Sequence, residues 1–246
     1  MENFEIVIVM FALLAAGTVK GVIGLGLPIT AISIISFVVD IRIAIAVISI
    51  PIVATNIYQA FDGGKIVEIV KKYWLINLYA MGGTIAGVQL LFIFSPKVLT
   101  AILGSVVITY VALNLLRYKI RVPDHRVKLM TPLIGISSGL LTGTTGSVGV
   151  PIALFLQARG IEKESFVRAI AFTFLTSSTM LVIALIEKSA ITRETALISV
   201  ITLIPAFIGM YLGKKTRSHL SENRFRSLVF FFLTVGGINL IQKSIF

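Results

Sequence analysis

Cysteine is absent from the 246-residue sequence, and histidine occurs only twice. The lack of cysteine excludes disulfides, thiolate metal sites and cysteine nucleophiles. His125 and His219 lie in connections between apolar runs, and no His, Asp or Glu group has the spacing of metal ligands. Because no nucleophile–base pair is visible either, we predict no metal, no cofactor and no enzymatic activity.

Charged residues are scarce, at 13% of the chain, whereas 57% is hydrophobic and the mean hydropathy is +0.99. Apolar runs of about 18 residues or more recur along the chain, which is typical of an all-α integral membrane protein. The N-terminus has the apolarity of a signal peptide. However, Glu2 and Glu5 stand where basic residues are usual and no cleavage site follows. We therefore expect this segment in the mature protein.

Acidic residues are the rarer charged class, with 11 Asp and Glu against 22 Lys and Arg. The basic residues gather in short connections between apolar segments. There we interpret them as signals that hold these loops in the cytoplasm. The pattern argues against a nucleic-acid partner and indicates the lipid bilayer of the plasma membrane as the surroundings of a multi-pass protein.

The apolar segments form two sets of four, and the second set repeats the first. Gly26 and Pro28 match Gly149 and Pro151. Several matches in the same order indicate an internal duplication. We expect a first repeat over 1–120, a basic cytoplasmic linker over 121–128 and a second repeat over 129–246. The apolar segments cover 4–38, 43–60, 73–94, 98–116, 130–157, 167–187, 193–212 and 224–243.

Glycine-rich stretches at 21–28 and 143–151 interrupt the first and fifth segments. The part from Ile29 to Val39 would span only about 16 Å, half of a hydrocarbon core. We therefore predict a hairpin of two short helices in each half, with the breaks near the middle of the bilayer. An alternative is that each arm crosses fully in a tilted, thin region.

The distribution of Lys and Arg favours hairpins. If the first and fifth segments crossed once, the two membrane faces would carry nearly equal positive charge; if they return as hairpins, one face carries a large excess. Each half then has an odd number of further crossings. The repeats are accordingly predicted to be inverted, with both termini extracytoplasmic and broken helices near their interface, an architecture typical of secondary transporters.

The breaks have the features of an anion site. Pro28 and Pro151 suit the first position of a restarting helix. Free amide groups and the positive end of the helix dipole lie just upstream, where glycine permits close approach. The alternative is that the glycines only pack helices together, which we prefer for the pairs Gly83/Gly87 and Gly209/Gly213. The predicted substrate-binding residues are Lys20, Gly21, Gly24, Gly26, Thr144, Thr145, Gly146, Ser147 and Gly149.

Lys20 is the clearly intramembrane charge of the first hairpin, and its ammonium would complement an oxyanion. The alternative is that it snorkels to the interface. The hydroxyls of the second break would bind the anion or satisfy the broken backbone. Further polar residues would wall a hydrated passage or join helices by hydrogen bonds. These residues are Thr18, Thr55, Asn56, Gln59, Thr173, Thr176 and Ser177.

The stretch Lys20-Gly21-Val22-Ile23-Gly24-Leu25-Gly26-Leu27-Pro28 resembles the first motif of the sulfite exporter TauE/SafE family. Gly143-Thr144-Thr145-Gly146-Ser147-Val148-Gly149-Val150-Pro151 resembles its second, and Arg168-Ala169-Ile170-Ala171 and the chain length also fit. The resemblance implies a membrane permease that exports sulfite, sulfoacetate or related organosulfur anions. The hydroxyls at Thr144, Thr145 and Ser147 depart from the glycine-rich pattern, so the family's substrate cannot simply be transferred.

The sequence thus predicts a secondary transporter that exports a small organosulfur or sulfite-like anion by alternating access at a midplane site between the two hairpins. An anion channel, an uptake permease for another small anion, and a membrane enzyme or assembly partner are the alternatives. The glycine pairs leave a homodimer and a monomer both open.

Overall fold

The computed structural model describes residues 2–62, 64, 66–115, 122–146, 150–218 and 221–245. These residues form eleven helices and, within those ranges, no strand. The helices are α1 (Asn3–Ile23), α2 (Leu27–Ile35), α3 (Ile41–Phe61), α4 (Ile66–Ile93), α5 (Pro96–Leu115), α6 (Asp124–Thr145), α7 (Val150–Ala158), α8 (Lys163–Glu187), α9 (Arg193–Ile201), α10 (Leu203–Ser218) and α11 (Glu222–Ile245).

Both glycine breaks are confirmed. Gly24 and Gly26 adopt φ of 82° and 94° between α1 and α2, and Gly146 adopts φ of 66° after α6. These left-handed conformations are open to glycine at little cost and end a helix. Ser147 and Gly149, two of the predicted site residues, lie outside the described residues.

The arms of the predicted hairpins have unequal lengths. At 1.5 Å per residue, α1 with 21 residues is about 31 Å long and α6 with 22 about 33 Å, enough to cross a bilayer core. The nine-residue helices α2 and α7 are only about 14 Å long. The expectation of two short helices is therefore wrong for the first arm. Gly17 and Gly21 do not break α1, because they pack against another helix.

The α6–α7 unit returns to the end of the molecule at which it started. The Arg159 guanidinium, just after α7, donates a hydrogen bond to the Val122 carbonyl, just before α6, at 3.0 Å. The second predicted hairpin therefore closes on itself. Its first helix begins at Asp124, inside the stretch expected to be a linker.

Two seams of glycine join the halves of the chain. A Cβ on Gly17 would meet the backbone of Ala206, and one on Gly21 would meet the Met210 carbonyl, so α1 and α10 run parallel in close contact. The pairs Gly209/Gly213 and Gly83/Gly87 face α1 and α6 in the same way. Their packing role is confirmed, and it lies inside the chain rather than on a surface offered to a second copy.

The directions of the helices test the hairpins against single crossings. On α5, Gly104 faces Ile241, whereas Gly237 of α11 faces Val107 and Ile108, so α5 and α11 are antiparallel. Single crossings of the first and fifth segments would make them parallel. They would also place the ends of α3 and α10 on opposite faces, yet Asp62 and Lys214 form an ion pair at 2.7 Å. The packing is consistent with two inverted repeats.

Prolines explain two features of the helices. Pro51 inside α3 has no N–H for the Val47 carbonyl, and the Ser199 hydroxyl of α9 donates to this carbonyl at 2.5 Å instead. The segment expected over 193–212 is divided at Thr202, because Pro205 breaks the backbone ladder one turn later. This division was not predicted from the sequence.

The outer surface of the bundle is apolar. Among the described residues, five helical stretches are long and apolar enough to cross a membrane: Asn3–Ile23, Ile41–Phe61, Ile66–Ile93, Glu164–Glu187 and Arg193–Arg217. Large side chains such as Phe11, Trp74 and Ile208 point outward from three of them. Since a soluble protein rarely exposes so much apolar surface, the chain is a multi-pass membrane protein.

Candidate substrate site

Lys20 lies near the end of α1 and is buried inside the protein. Only 1% of its surface is exposed, which rules out the alternative that it snorkels to the membrane interface. Its ammonium donates a hydrogen bond to Asn56 Oδ1 on α3 and lies 6.0 Å from the centre of the Phe174 ring on α8. Within the described part of the chain, no carboxylate pairs with it. A buried cation without a counter-charge is costly, so the site favours an anion.

Two hydrogen bonds connect α1 and α3 one helical turn apart. Lys20 bonds to Asn56, and four residues later the Gly24 carbonyl accepts from Gln59 Nε2 at 2.9 Å. The second bond satisfies a carbonyl that the glycine break frees. Both bonds also fix the orientation of the amides: Asn56 must present oxygen to the ammonium, and Gln59 must present nitrogen to the carbonyl.

The remaining polar atoms of these side chains have no partner. Asn56 Nδ2 and Gln59 Oε1 are buried without a hydrogen bond, and so is the Ser177 hydroxyl on α8. Buried polar atoms are almost always paired, so these unpaired ones are candidates for contact with a ligand or with water. We call Lys20, Asn56, Gln59 and Ser177 the polar cluster.

Helix α8 forms the third wall of the polar cluster. Ser177 lies one turn after Phe174, whose ring faces the Lys20 ammonium. Near the start of the same helix, the side chain of Val167 contacts the break at Gly24. Arg168 follows it, and its buried Nε also has no partner. Three helices, α1, α3 and α8, thus supply the side chains of the cluster.

The polar cluster lies between the middle of the bundle and one of its ends. Asn56 is six residues from Asp62, or roughly 9 Å along α3. Asp62 pairs with Lys214, and Arg217 pairs with Glu164 at 3.6 Å. We call this the ion-pair end. Tyr58 adds to the closure there, because its ring lies 5.5 Å from the Lys214 ammonium.

The second break lies apart from the first. A Cβ on Gly146 would meet Ile45 of α3 and Ile32 of α2, whereas Gly24 lies beside Gln59. Ile45 and Gln59 are roughly 21 Å apart along α3. The two breaks therefore contact opposite halves of α3, because each follows a helix that is long enough to cross the core.

The two described hydroxyls of the second break bond to backbone carbonyls. Thr144 and Thr145 donate to the carbonyls of Leu140 and Leu141 at 2.6 and 2.7 Å. Such bonds return the side chain to its own helix and leave no proton for a ligand in this conformation. The alternative that they satisfy backbone carbonyls fits this geometry.

The other predicted pathway residues divide into two groups. Thr18, Thr55 and Thr173 donate to carbonyls of their own helices. The Thr176 hydroxyl lies 3.0 Å from the Thr173 carbonyl of its own helix and also 3.1 Å from Asn77 Oδ1 of α4, so it joins two helices. Pro28 and Pro151 are each the second residue of the restarting helix, α2 and α7, one position later than expected. Gly21 packs in the seam with α10.

Phe174 and the Asp62–Lys214 pair were overlooked in the sequence. A phenylalanine in an apolar helix carries no signal, and the sequence does not show which cation Asp62 meets. Asn56 and Gln59 were predicted because they are polar residues in an apolar segment, and they share a face of α3. Their pairing with Lys20 and Gly24 required the fold.

A comparison with protein-family models matches residues 9–240 to the model described as Sulfite exporter TauE/SafE. The match covers both glycine breaks and the whole polar cluster. No curated protein and no solved structure matches the chain.

Proposed function

The chain belongs to the sulfite exporter TauE/SafE family, and from this premise we propose that it exports a sulfite-like or small organosulfur anion and binds it at the polar cluster. Membership makes the protein a membrane transporter. The observation that carries the choice of site is the buried Lys20 ammonium, which lacks a carboxylate partner among the described residues.

The polar cluster supplies what a compact oxyanion needs. Lys20 has three N–H donors and Asn56 uses one of them, while Asn56 Nδ2 and the Ser177 hydroxyl add free donors. Charge-assisted hydrogen bonds to an anion are stronger than neutral ones, and stronger still where water is excluded. In this proposal Lys20, Asn56 and Ser177 bind the oxyanion and Gln59 supports the break. Gly24 and Gly26 let the chain approach closely.

Alternating access would occur around this site. The described conformation buries Lys20 and joins α3 to α10 by the Asp62–Lys214 pair. Opening toward the ion-pair end would separate this pair. Opening toward the other end would involve the second break, where Thr144, Thr145 and Gly146 would line the exit. Ser147 and Gly149, as predicted substrate-binding residues, and Pro151, as the proline of the restarting helix, would act in this same opening step.

We place the ion-pair end in the cytoplasm. Helix ends rich in Lys and Arg, including those at 122–128 and 214–218, lie at this end, and the cytoplasmic side of membrane proteins carries such an excess. Both termini would then be extracytoplasmic in the plasma membrane. An inside-negative potential of about 100 mV favours expulsion of each negative charge by about 2.3 kcal/mol, so export needs no coupled ion.

Efflux from proteoliposomes tests the proposed function. Vesicles loaded with radiolabelled sulfite should release it in a saturable manner, and faster when the interior is negative. Lys20→Met should reduce the rate of release to that of loaded vesicles that contain no protein. Lys188→Met, an exposed lysine at the end of α8, is the matched control and should transport normally.

The alternatives predict different outcomes. A channel would give unitary currents in a planar bilayer and no saturation at millimolar sulfite. An uptake permease would accumulate the anion against an inside-negative potential when an ion gradient is imposed. Equal fluxes through wild type and Lys20→Met would remove the polar cluster from the pathway.

A further inference from the structure

The polar cluster contains one buried acceptor among its donors, and this acceptor restricts the ligand. Gln59 Oε1 is unpaired, and Gln59 is 7% exposed. The amide cannot turn round to offer its nitrogen instead, since Nε2 is bonded to the Gly24 carbonyl at 2.9 Å. A fully deprotonated oxyanion would leave this oxygen unpaired or repel it, which is costly at a buried position.

The acceptor lies within reach of an anion bound at Lys20. Asn56 and Gln59 are three residues apart on one face of α3, a separation of roughly 4.5 Å along the axis. Their partners, Lys20 on α1 and Gly24 just after it, are likewise one turn apart. Lys20, Asn56 and Gln59 therefore line the same strip between α1 and α3.

The charge of the cluster points to the same conclusion. Lys20 supplies one positive charge, and no second cation bonds to the cluster within the described residues. A monoanion balances this charge, whereas a dianion would leave a buried negative charge.

We propose that the site selects a singly charged oxyanion that carries one hydrogen-bond donor of its own. The anionic oxygens would bind Lys20, Asn56 and Ser177, and an O–H of the same ligand would donate to Gln59 Oε1. Protonated sulfite and hydroxyalkanesulfonates belong to this class. The inference rests on the proposed function and narrows its substrate.

Two nearly isosteric ligands test the proposal by calorimetry on the purified full chain. 2-Hydroxyethanesulfonate has an O–H where propane-1-sulfonate has a methyl group, and both are monoanions. We expect the hydroxyl ligand to bind at least about tenfold more tightly, because its analogue leaves the acceptor unpaired. Gln59→Met should abolish this preference, whereas Gln89→Met, at an exposed glutamine of α4, should preserve it.

The outcomes separate this inference from the proposed function. Equal or tighter binding of propane-1-sulfonate, together with loss of both ligands in Lys20→Met, would overturn the donor requirement and leave the anion site intact. Binding of neither ligand, and no response to sulfite, would overturn both. If Gln59→Met does not fold, the comparison of the two ligands on the wild type still decides.

Discussion

Lys20 is the single residue on which the proposed anion site depends. Lys20 is 1% exposed, and its polar contacts among the described residues are one amide and one aromatic ring. Burying a charge in this way costs free energy, which the binding of an anion would offset. Lys20 could be identified from the sequence as a functional candidate, because a charge inside an apolar segment is rare. Its partner could not, because Asn56 belongs to a different helix.

Asn56→Asp would supply Lys20 with an internal counter-charge of the same shape. We expect the melting temperature without ligand to stay equal or rise, since the carboxylate replaces a missing anion. Anion affinity should fall by about 100-fold or more, because a fixed negative charge now occupies the site. Thermal shift with and without sulfite measures both.

Asn77→Asp is the matched control for this change. Asn77 is also buried, but its described partners are the Tyr73 carbonyl and the Thr176 hydroxyl. A carboxylate there should lower the melting temperature. If Asn56→Asp is as destabilising as Asn77→Asp, the charge at Lys20 does not require an anion.

At the scale of helices, glycine has two roles that the sequence does not separate. Gly24, Gly26 and Gly146 end or start helices at positive φ, whereas Gly17 and Gly21 continue α1 and pack against α10. The positions of the breaks were predictable because proline follows each glycine run. The full length of α1 and α6 was not, because only the partner helix shows which glycines are packing contacts.

Neighbouring glycines on α4 test the seam. A Cβ on Gly83 would lie 2.5 Å from the Ile136 carbonyl oxygen of α6, whereas one on Gly82 would meet nothing within 4 Å. Gly83→Ala should therefore cost about 1–3 kcal/mol by forcing the helices apart. Gly82→Ala should be neutral or stabilise by up to about 1 kcal/mol, since alanine favours the helix. Unfolding in a mild detergent with added denaturant compares the two variants. Equal stabilities would mean that the helices are not in contact at this seam.

At the scale of the whole molecule, the halves are interlocked. Helix α1 of the first half packs along α10 of the second, and α6 packs along α4. Relative motion of the halves would therefore alter the contacts at the ends of these helices, including the ion pair between Asp62, at the end of α3, and Lys214 of α10. Loop charge predicts inverted repeats, and the packing of the helices is consistent with them. The offset of the polar cluster toward the ion-pair end was not predictable, because it depends on helix lengths.

Asp62→Asn should favour opening at the ion-pair end. The Asp62–Lys214 pair is partly exposed, so its loss costs at most about 1 kcal/mol. Because opening at this end would expose the polar cluster, we expect Ser177→Cys to react with a thiol reagent about two- to fivefold faster when Asp62 is also replaced by Asn. The native chain has no cysteine, so the reporter is the single thiol. Glu187→Gln, at the end of α8 away from this pair, should leave the rate unchanged, and an unchanged rate in Asp62→Asn would contradict the gate.

Calorimetric titration of sulfite into purified wild type and Lys20→Met is the decisive test of an anion site at Lys20. We predict saturable binding to the wild type and an affinity about 10- to 100-fold lower in Lys20→Met, since a charge-assisted hydrogen bond is lost. The melting temperature of the variant without ligand should not fall, because methionine removes an unpaired buried charge. Equal sulfite affinity in two folded proteins would contradict an anion site at Lys20.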